Sequence, residues 1–348
     1  MKIGNFDTEK PGTYIIAELS ANHGGRIEVA KESIAAAKEA GADAVKLQTY
    51  TADTLTLDCR KEDFVIRGGT LWDGQTLYEL YKEAYTPWEW HEELFAYANK
   101  IGIDIFSSPF DKSAVDFLER FDPPAYKIAS FEITDYGLIR HAASKGRPMI
   151  ISTGIATLQE IQDAVDICRE EGNNDIVLLK CTSAYPAPLE EANLRTIPNL
   201  AETFGVVAGF SDHTLGITAP VAAVALGARV IEKHFILDRE LGGPDADFSL
   251  DREEFAQMAQ AVRDTEKLLG KVDYSMTAKR RESRRFSRSL YVAEAVKKGE
   301  LFTEKNIRSV RPGFGLHPKH LSRILGKRAA RGLEKGTALS WEMIGEES

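Results

Sequence analysis

An α/β fold of the (β/α)₈ TIM barrel type, followed by a small C-terminal β-rich domain, is what this 348-residue chain predicts. Three observations carry the expectation. Short runs rich in Val and Ile alternate with helix-period segments from residue 14 to residue 270. The runs number eight over a length that suits one barrel. Polar and titratable residues gather at their C-terminal ends, which in a barrel all open on one mouth.

The candidate strands are YIIAEL (14–19), AVKLQ (44–48), IDIFSSP (103–109), AYKIAS (125–130), MIIST (149–153), IVLLKCT (176–182), VVAGFSDH (206–213) and RVIEKHF (229–235). Between them lie EVAKESIAAAKEAG, PWEWHEELFAYANKIG, DKSAVDFLERF, YGLIRHAASKG, LQEIQDAVDICREEG and TAPVAAVALGA. Several of these stop at Gly, the usual helix terminator. DREEFAQMAQAVRDTEKLLG (251–270) closes the series. A doubly wound sheet would show GxGxxG after its first strand, and SANHGG lacks that spacing. The connection from Thr49 to Trp88 is long for a strand–helix loop. It predicts a substrate wall or lid, or a helix packed on the barrel.

The period changes after Gly270. The basic run KRRESRRFSR (279–288) precedes short apolar runs and Gly turns. The expected division is a barrel over 1–270, a linker over 271–288 and a small domain over 289–348. The linker's basic run suits an interface or an anion contact. Formal charge is -9, and the C-terminal region lacks interleaved aromatic and basic residues, so nucleic acid is not an expected partner. No run approaches the roughly 18 apolar residues of a membrane span. With no signal-like N-terminus, the expected location is cytoplasmic. The three cysteines, Cys59, Cys168 and Cys181, fit neither a zinc site nor a disulfide framework.

The strand ends carry Glu18, Lys46, Gln48, Ser107, Ser108, Lys127, Ser130, Ser152, Lys180, Ser183, Ser211, Asp212, His213, Glu232 and His234. Buried parallel strands are otherwise apolar, so this density is a signal. His213 and His234 end neighbouring strands about 4.8 Å apart. Two inward imidazoles at that spacing suit one Mn²⁺- or Mg²⁺-like ion with water or substrate completing its shell. The plainer alternative is one catalytic and one core histidine. Lys46, Lys127 and Lys180 with the serines suit phosphate and carboxylate. The competing readings are a Schiff base on Lys127 or Lys180 and structural ion pairs. Glu18 and Glu132 are both proton-transfer candidates, unranked. Asp212–His213 hints at a triad, but no Gly-x-Ser-x-Gly elbow occurs.

IIAELSANHGG (15–25), AGADAVKLQTY (40–50), FSSPF (106–110), YKIASFE (126–132), STGIAT (152–157), LLKCTSAYP (178–186), GFSDHTLG (209–216), GARVIEKHF (227–235) and VRPGFGLHP (310–318) resemble the sialic acid synthase family nearly end to end. The resemblance implies a barrel joined to an antifreeze-like (SAF) domain, in a domain-swapped homodimer. It implies His213 and His234 as ligands of Mn²⁺ or Mg²⁺. It implies Lys46, Lys127, Ser130, Ser152, Ser183, Tyr185 and Ser211 as contacts to the co-substrate phosphoenolpyruvate. Glu18 and Gln48 match sugar-side residues, and Glu132 matches a proton-transfer carboxylate. Arg311 resembles the arginine that a partner copy lends to the sugar's acetamido group.

Ser183 departs from relatives that use N-acetylmannosamine, which commonly carry Asn there. KEDFVIRGGTLWDGQTLYELY (61–81) resembles the branch whose acceptor is a 2,4-diacetamido-2,4,6-trideoxy-altrose. Such an acceptor asks for an apolar wall, and Phe110, Trp72, Tyr78 and Tyr81 are candidates. The product implied is a nonulosonic acid for bacterial surface glycan. N-acetylneuraminate or legionaminate synthesis is the alternative within the family. A Schiff-base aldolase and a non-catalytic glycan-binding protein are the alternatives outside it.

Overall fold

A computed structural model describes residues 1–67 and 73–345. It separates into two compact units, Met1–Gly270 and Lys271–Ser348. In the first, eight parallel strands close into a barrel. They are β1 (Tyr14–Glu18), β2 (Ala44–Thr49), β3 (Asp104–Pro109), β4 (Tyr126–Ile128), β5 (Met149–Ser152), β6 (Ile176–Cys181), β7 (Val207–Asp212) and β8 (Val230–His234). β8 pairs with β1 in register from Val230↔Tyr14 to His234↔Glu18, which closes the ring. The predicted barrel is therefore the observed one, with strand ends displaced by a residue or two.

The period of two in each strand divides its side chains between barrel interior and helix layer. Tyr14, Ile16, Ala44, Phe106, Ile150, Val177, Leu179 and Val230 fill the lower interior. Continuing upward with the same parity, β1 presents Glu18, β2 Lys46 and β8 Glu232 and His234. The mouth is polar because the last inward residue of most strands is polar.

A short hairpin, Lys2–Ile3 with Phe6–Asp7, precedes the barrel. Ile3 belongs to the same interior cluster, and Phe6 stacks on Tyr14 at 5.3 Å, so the hairpin plugs the end opposite the mouth. The sequence reading did not include it. It also omitted the helix Thr196–Phe204. Pro198 in its first turn and Gly205 at its left-handed C-cap, φ 64°, are the signals that mark it. The last barrel helix, Arg252–Leu269, starts with a capping box between Asp251 and Glu254.

Among the described residues, the long connection after β2 contains the α-helices Ala52–Leu55 and Leu77–Ala84 and a 3₁₀ turn, Glu62–Phe64. Trp72, a candidate wall residue, lies outside the described residues. In the second unit, β9 (Ser289–Val292) pairs antiparallel with β10 (Ile307–Val310). Single bridges at Tyr291↔Ala338, Val296↔Leu333 and Ala329↔Ile344 extend this into a small β-rich body around Leu290, Phe302, Ile307 and Leu339. Among the described residues, no helix is long and apolar enough to cross a membrane.

Candidate active site

Four charged side chains interlock inside the barrel mouth. Lys46 Nζ lies 2.7 Å from Glu18 Oε2 and 3.6 Å from Glu232 Oε1. It also donates to Ser108 Oγ at 3.2 Å. Lys127 Nζ donates to Ser152 Oγ at 2.7 Å and stands 3.9 Å from Glu232 Oε1. Ser211 donates to the same Glu232 oxygen at 3.2 Å. Gln48 bridges Glu18 Oε1 (2.8 Å) and Ser20 Oγ (3.0 Å). All four charged residues are at most 5% exposed.

Burial disfavours charge on each of them, and the neighbours decide the outcome. Burial raises the Glu18 pKa despite Lys46. For Lys46, burial is outweighed by Glu18 and Glu232, and its pKa rises. Burial lowers that of Lys127. For Glu232, the charges of Lys127, Lys46 and His213 outweigh burial and lower the pKa.

A second group of small polar side chains surrounds Gly154, just past β5. Its N–H donates to Ser130 Oγ at 3.1 Å. A Cβ at this position would overlap Ser183 Oγ and come within 2.8 Å of Ser130 Oγ and 3.2 Å of Cys181 Sγ. Ser183 Oγ is buried with no hydrogen-bond partner. An unpaired buried hydroxyl beside a residue without a side chain is a cradle for a ligand oxygen. Gly154→Ala is expected to lower kcat/KM by about 10²-fold and, because the new Cβ must displace Ser183 and Ser130, to lower the melting temperature by only a few degrees. A misplacement of one ångström at a reacting site costs that much, and the Gly154 backbone is not in the left-handed region. Steady-state kinetics beside a thermal melt checks this.

His213 directly follows β7 and His234 ends β8, with ring centroids 5.2 Å apart. His213 Nδ1 lies 3.0 Å from the Thr182 carbonyl oxygen. Burial opposes a second proton on this ring, but Cys181 and the Thr182 carbonyl outweigh it and raise the pKa. A cation bound at Nε2 would displace that proton while Nδ1–H keeps the carbonyl. Burial, followed by the charges of His213 and Lys46, holds the His234 pKa well below the usual value. Its Nδ1 is buried and lacks a hydrogen-bond partner, with Asp245 Oδ2 3.7 Å away. A neutral imidazole with an orphaned nitrogen, facing a second imidazole and near a carboxylate, fits a divalent cation. No group of three or more His, Cys, Asp or Glu suited to a metal occurs among the described residues. Water or substrate would complete the shell. Tyr185, half-exposed, lies over His213 at 4.4 Å.

Glu132 follows β4 in a 3₁₀ turn, Ser130–Glu132. Burial, partly countered by Lys127, pushes its pKa up to about 7, and its Oε2 has no partner. It borders a cavity of about 290 Å³ together with Gln48, Tyr185, His234 and Asp245.

Lys180, Ser107, Asp212, Asn22, His23 and Tyr78 face elsewhere. Lys180 points to the helix layer, where it donates to the Cys181 carbonyl (2.6 Å) and Thr182 Oγ1 (3.2 Å). Cys181 takes the inward position on β6. Burial opposes its thiolate, but the His213 ring, Ser130 and Lys127 bring the pKa to about 7. Ser107 also faces outward, sharing Thr49 Oγ1 with the buried His91, while Ser108 faces in. Asp212 pairs with Lys233 at 2.6 Å, both fully buried, so no Asp–His triad forms. Asn22 holds the Phe235 carbonyl and Ser249, and His23 contacts Thr86 at 3.2 Å. Both have framework roles. Tyr78 donates to Asp53 (3.1 Å), away from the wall formed by Phe110 and Tyr81. Arg311 lines a groove of the second unit with Arg280, Arg284 and Phe286.

Cys181, Gly154 and Asp245 escaped the sequence reading. Strand parity from Val177 and Leu179 marks Cys181; Gly154 and Asp245 carry no local signal.

Fold and site define a class: a barrel enzyme with a buried cationic cradle beside paired imidazoles. Residues 33–274 match the NeuB family, and residues 287–345 match the SAF domain. The chain belongs to the NeuB family, the family of the sialic acid synthases. It is 55% identical to a pseudaminic acid synthase of Campylobacter jejuni, over 97% of this chain and 98% of that one. Against the pseudaminic acid synthase of Helicobacter pylori the identity is 51%, covering 95% and 97%. A crystal structure of the Bacillus subtilis spore coat polysaccharide biosynthesis protein SpsE superposes with TM-score 0.66 at 36% identity, covering 100% and 99%. The chain is accordingly an enzyme that forms carbon–carbon bonds with phosphoenolpyruvate.

Proposed function

We propose that this enzyme condenses phosphoenolpyruvate with 2,4-diacetamido-2,4,6-trideoxy-β-L-altropyranose and water, releasing pseudaminic acid and phosphate. The observation that carries the reading is the placement of two buried lysines and the Gly154 cradle directly beside the histidine pair. Relatives that bear the name pseudaminic acid synthase support the choice of acceptor.

In this reading, Lys46 and Lys127 hold the anionic ends of phosphoenolpyruvate, with Ser130, Ser152, Ser183 and Ser211 supplying hydroxyl donors. Glu232 fixes both ammonium groups from below. A divalent cation, Mn²⁺ or Mg²⁺, on His213 and His234 would polarise the aldehyde oxygen of the open-chain sugar. C3 of phosphoenolpyruvate attacks the aldehyde carbon, and the carbon–carbon bond forms. Water then adds at C2, and the hemiketal phosphate so formed expels phosphate to leave a 2-keto acid. Glu132 is the better proton carrier of the two carboxylates. Each has an Oε2 without a hydrogen bond, but Glu18 is ion-paired with Lys46 at 2.7 Å and held by Gln48, whereas Glu132 has no ion pair among the described residues and borders the cavity. Glu18 and Gln48 orient the sugar, and Tyr185 covers the co-substrate. We further propose a cytoplasmic homodimer, in which Arg311 of a second copy meets the acetamido group.

The test is phosphate release from phosphoenolpyruvate with Mn²⁺, offering the diacetamido sugar and N-acetylmannosamine separately. Turnover with the first alone, abolished by EDTA, is expected. Preference for N-acetylmannosamine would overturn the acceptor. Borohydride trapping of substrate on Lys127 would replace the mechanism with a Schiff base.

A further inference from the structure

The cavity beside His234 is lined by polar groups, among them Gln48, Glu132 and Asp245, and by an apolar set that includes Leu55, Leu80, Ala84 and Phe110. Phe110 and Tyr81 are held edge-on to the buried Tyr50, at centroid distances of 5.1 and 5.8 Å. Leu80 and Ala84 sit four residues apart on the helix Leu77–Ala84 and share a face. No residue of that helix is buried. An amphipathic helix ordinarily buries its apolar stripe against a core. This stripe instead borders the cavity, where a ligand would complete its cover.

We propose that this wall selects the acceptor by its deoxygenated end. The C6 methyl group packs against Leu55, Leu80 and Ala84, while the aldehyde end faces His234. The inference rests on the condensation proposed above. A 6-hydroxyl placed there would meet aliphatic carbon at all three residues and lose its hydrogen bonds. Pockets that reject a hydroxyl by apolar contact alone discriminate by about 10²-fold. The wall therefore sets a preference of that size for a 6-deoxy sugar.

The experiment measures kcat/KM for the 6-deoxy acceptor and its 6-hydroxy counterpart in wild type, Leu80→Ser and Ala84→Ser. The KM for phosphoenolpyruvate is recorded alongside. The wild type is expected to prefer the 6-deoxy sugar by about 10²-fold. In Leu80→Ser the ratio falls to about tenfold or less, through the acceptor KM, with the phosphoenolpyruvate KM unchanged. Ala84→Ser, a one-atom change on a half-buried surface, shifts the ratio in the same direction. An equal loss for both acceptors in both variants overturns the inference, as does a wild type indifferent to the 6-hydroxyl. Absence of phosphate release with any acetamido sugar in wild type is a different failure. It overturns the condensation itself, and the wall with it.

Discussion

His213→Ala is expected to lower kcat by at least about 10³-fold and to abolish Mn²⁺ binding. The magnitude follows from losing an electrophile that stabilises developing alkoxide charge, which supplies several kcal/mol in a buried site. The geometry explains why one histidine suffices for the loss. Only two imidazoles face the site, and no cluster of three protein ligands compensates among the described residues. Calorimetric titration with Mn²⁺ reads binding independently of turnover. A variant that binds Mn²⁺ as wild type does, or keeps its kcat, would remove His213 from the metal site. Fold loss is a separate outcome that a thermal melt detects. His213 contacts Tyr185 and Phe248 through its ring, so some destabilisation is expected as well.

Glu132→Gln should lower kcat by about 10²- to 10⁴-fold, the usual worth of a positioned acid or base. The wild-type pH–rate profile should bend near pH 7, and the variant should lose that bend. The same substitution has an opposite effect on stability. Burial raises the Glu132 pKa from 4.5 to about 7. A raised folded-state pKa contributes stability below the unfolded value of 4.5, and that contribution is lost as pH climbs through 7. Above pH 7 the wild type therefore bears a buried unpaired charge that Gln lacks. Glu132→Gln should be more stable than wild type at pH 8, by up to about 3 kcal/mol. Lowering the pH to 4.5 should erase the gain. Denaturant melts at the two pH values check the sign, and equal stabilities at pH 8 would contradict the assigned burial.

Much of this was readable before any coordinates. Eight apolar runs with helical spacers made the barrel visible, because both periodicities are local properties of the chain. Polar residues closing those runs marked the mouth, since barrel topology sends all strand ends to one face. Lys46, Lys127, Glu232 and the two histidines stood out on that argument. Their segments also carried the family resemblance. The hairpin at Lys2–Asp7 was not visible in this way. Two-residue strands have no period to detect, and Ile3 earns its place only by plugging a barrel that must already exist.

The chain by itself determined the strand count, the helix caps and the inventory of charged groups, because each depends on neighbours in sequence. Only the tertiary structure decided which of adjacent residues faces inward. Ser108 rather than Ser107, and Cys181 rather than Lys180, enter the site because one residue along a strand reverses the face. It also set the Glu18 carboxylate against Lys46 and Gln48 while leaving Glu132 without an ion pair of its own among the described residues. It turned Gly154 from a loop glycine into the floor of a cradle whose walls, Ser130 on one side and Cys181 with Ser183 on the other, come from two other strand ends. These decisions belong to distances between residues far apart in the chain, and no local pattern encodes them.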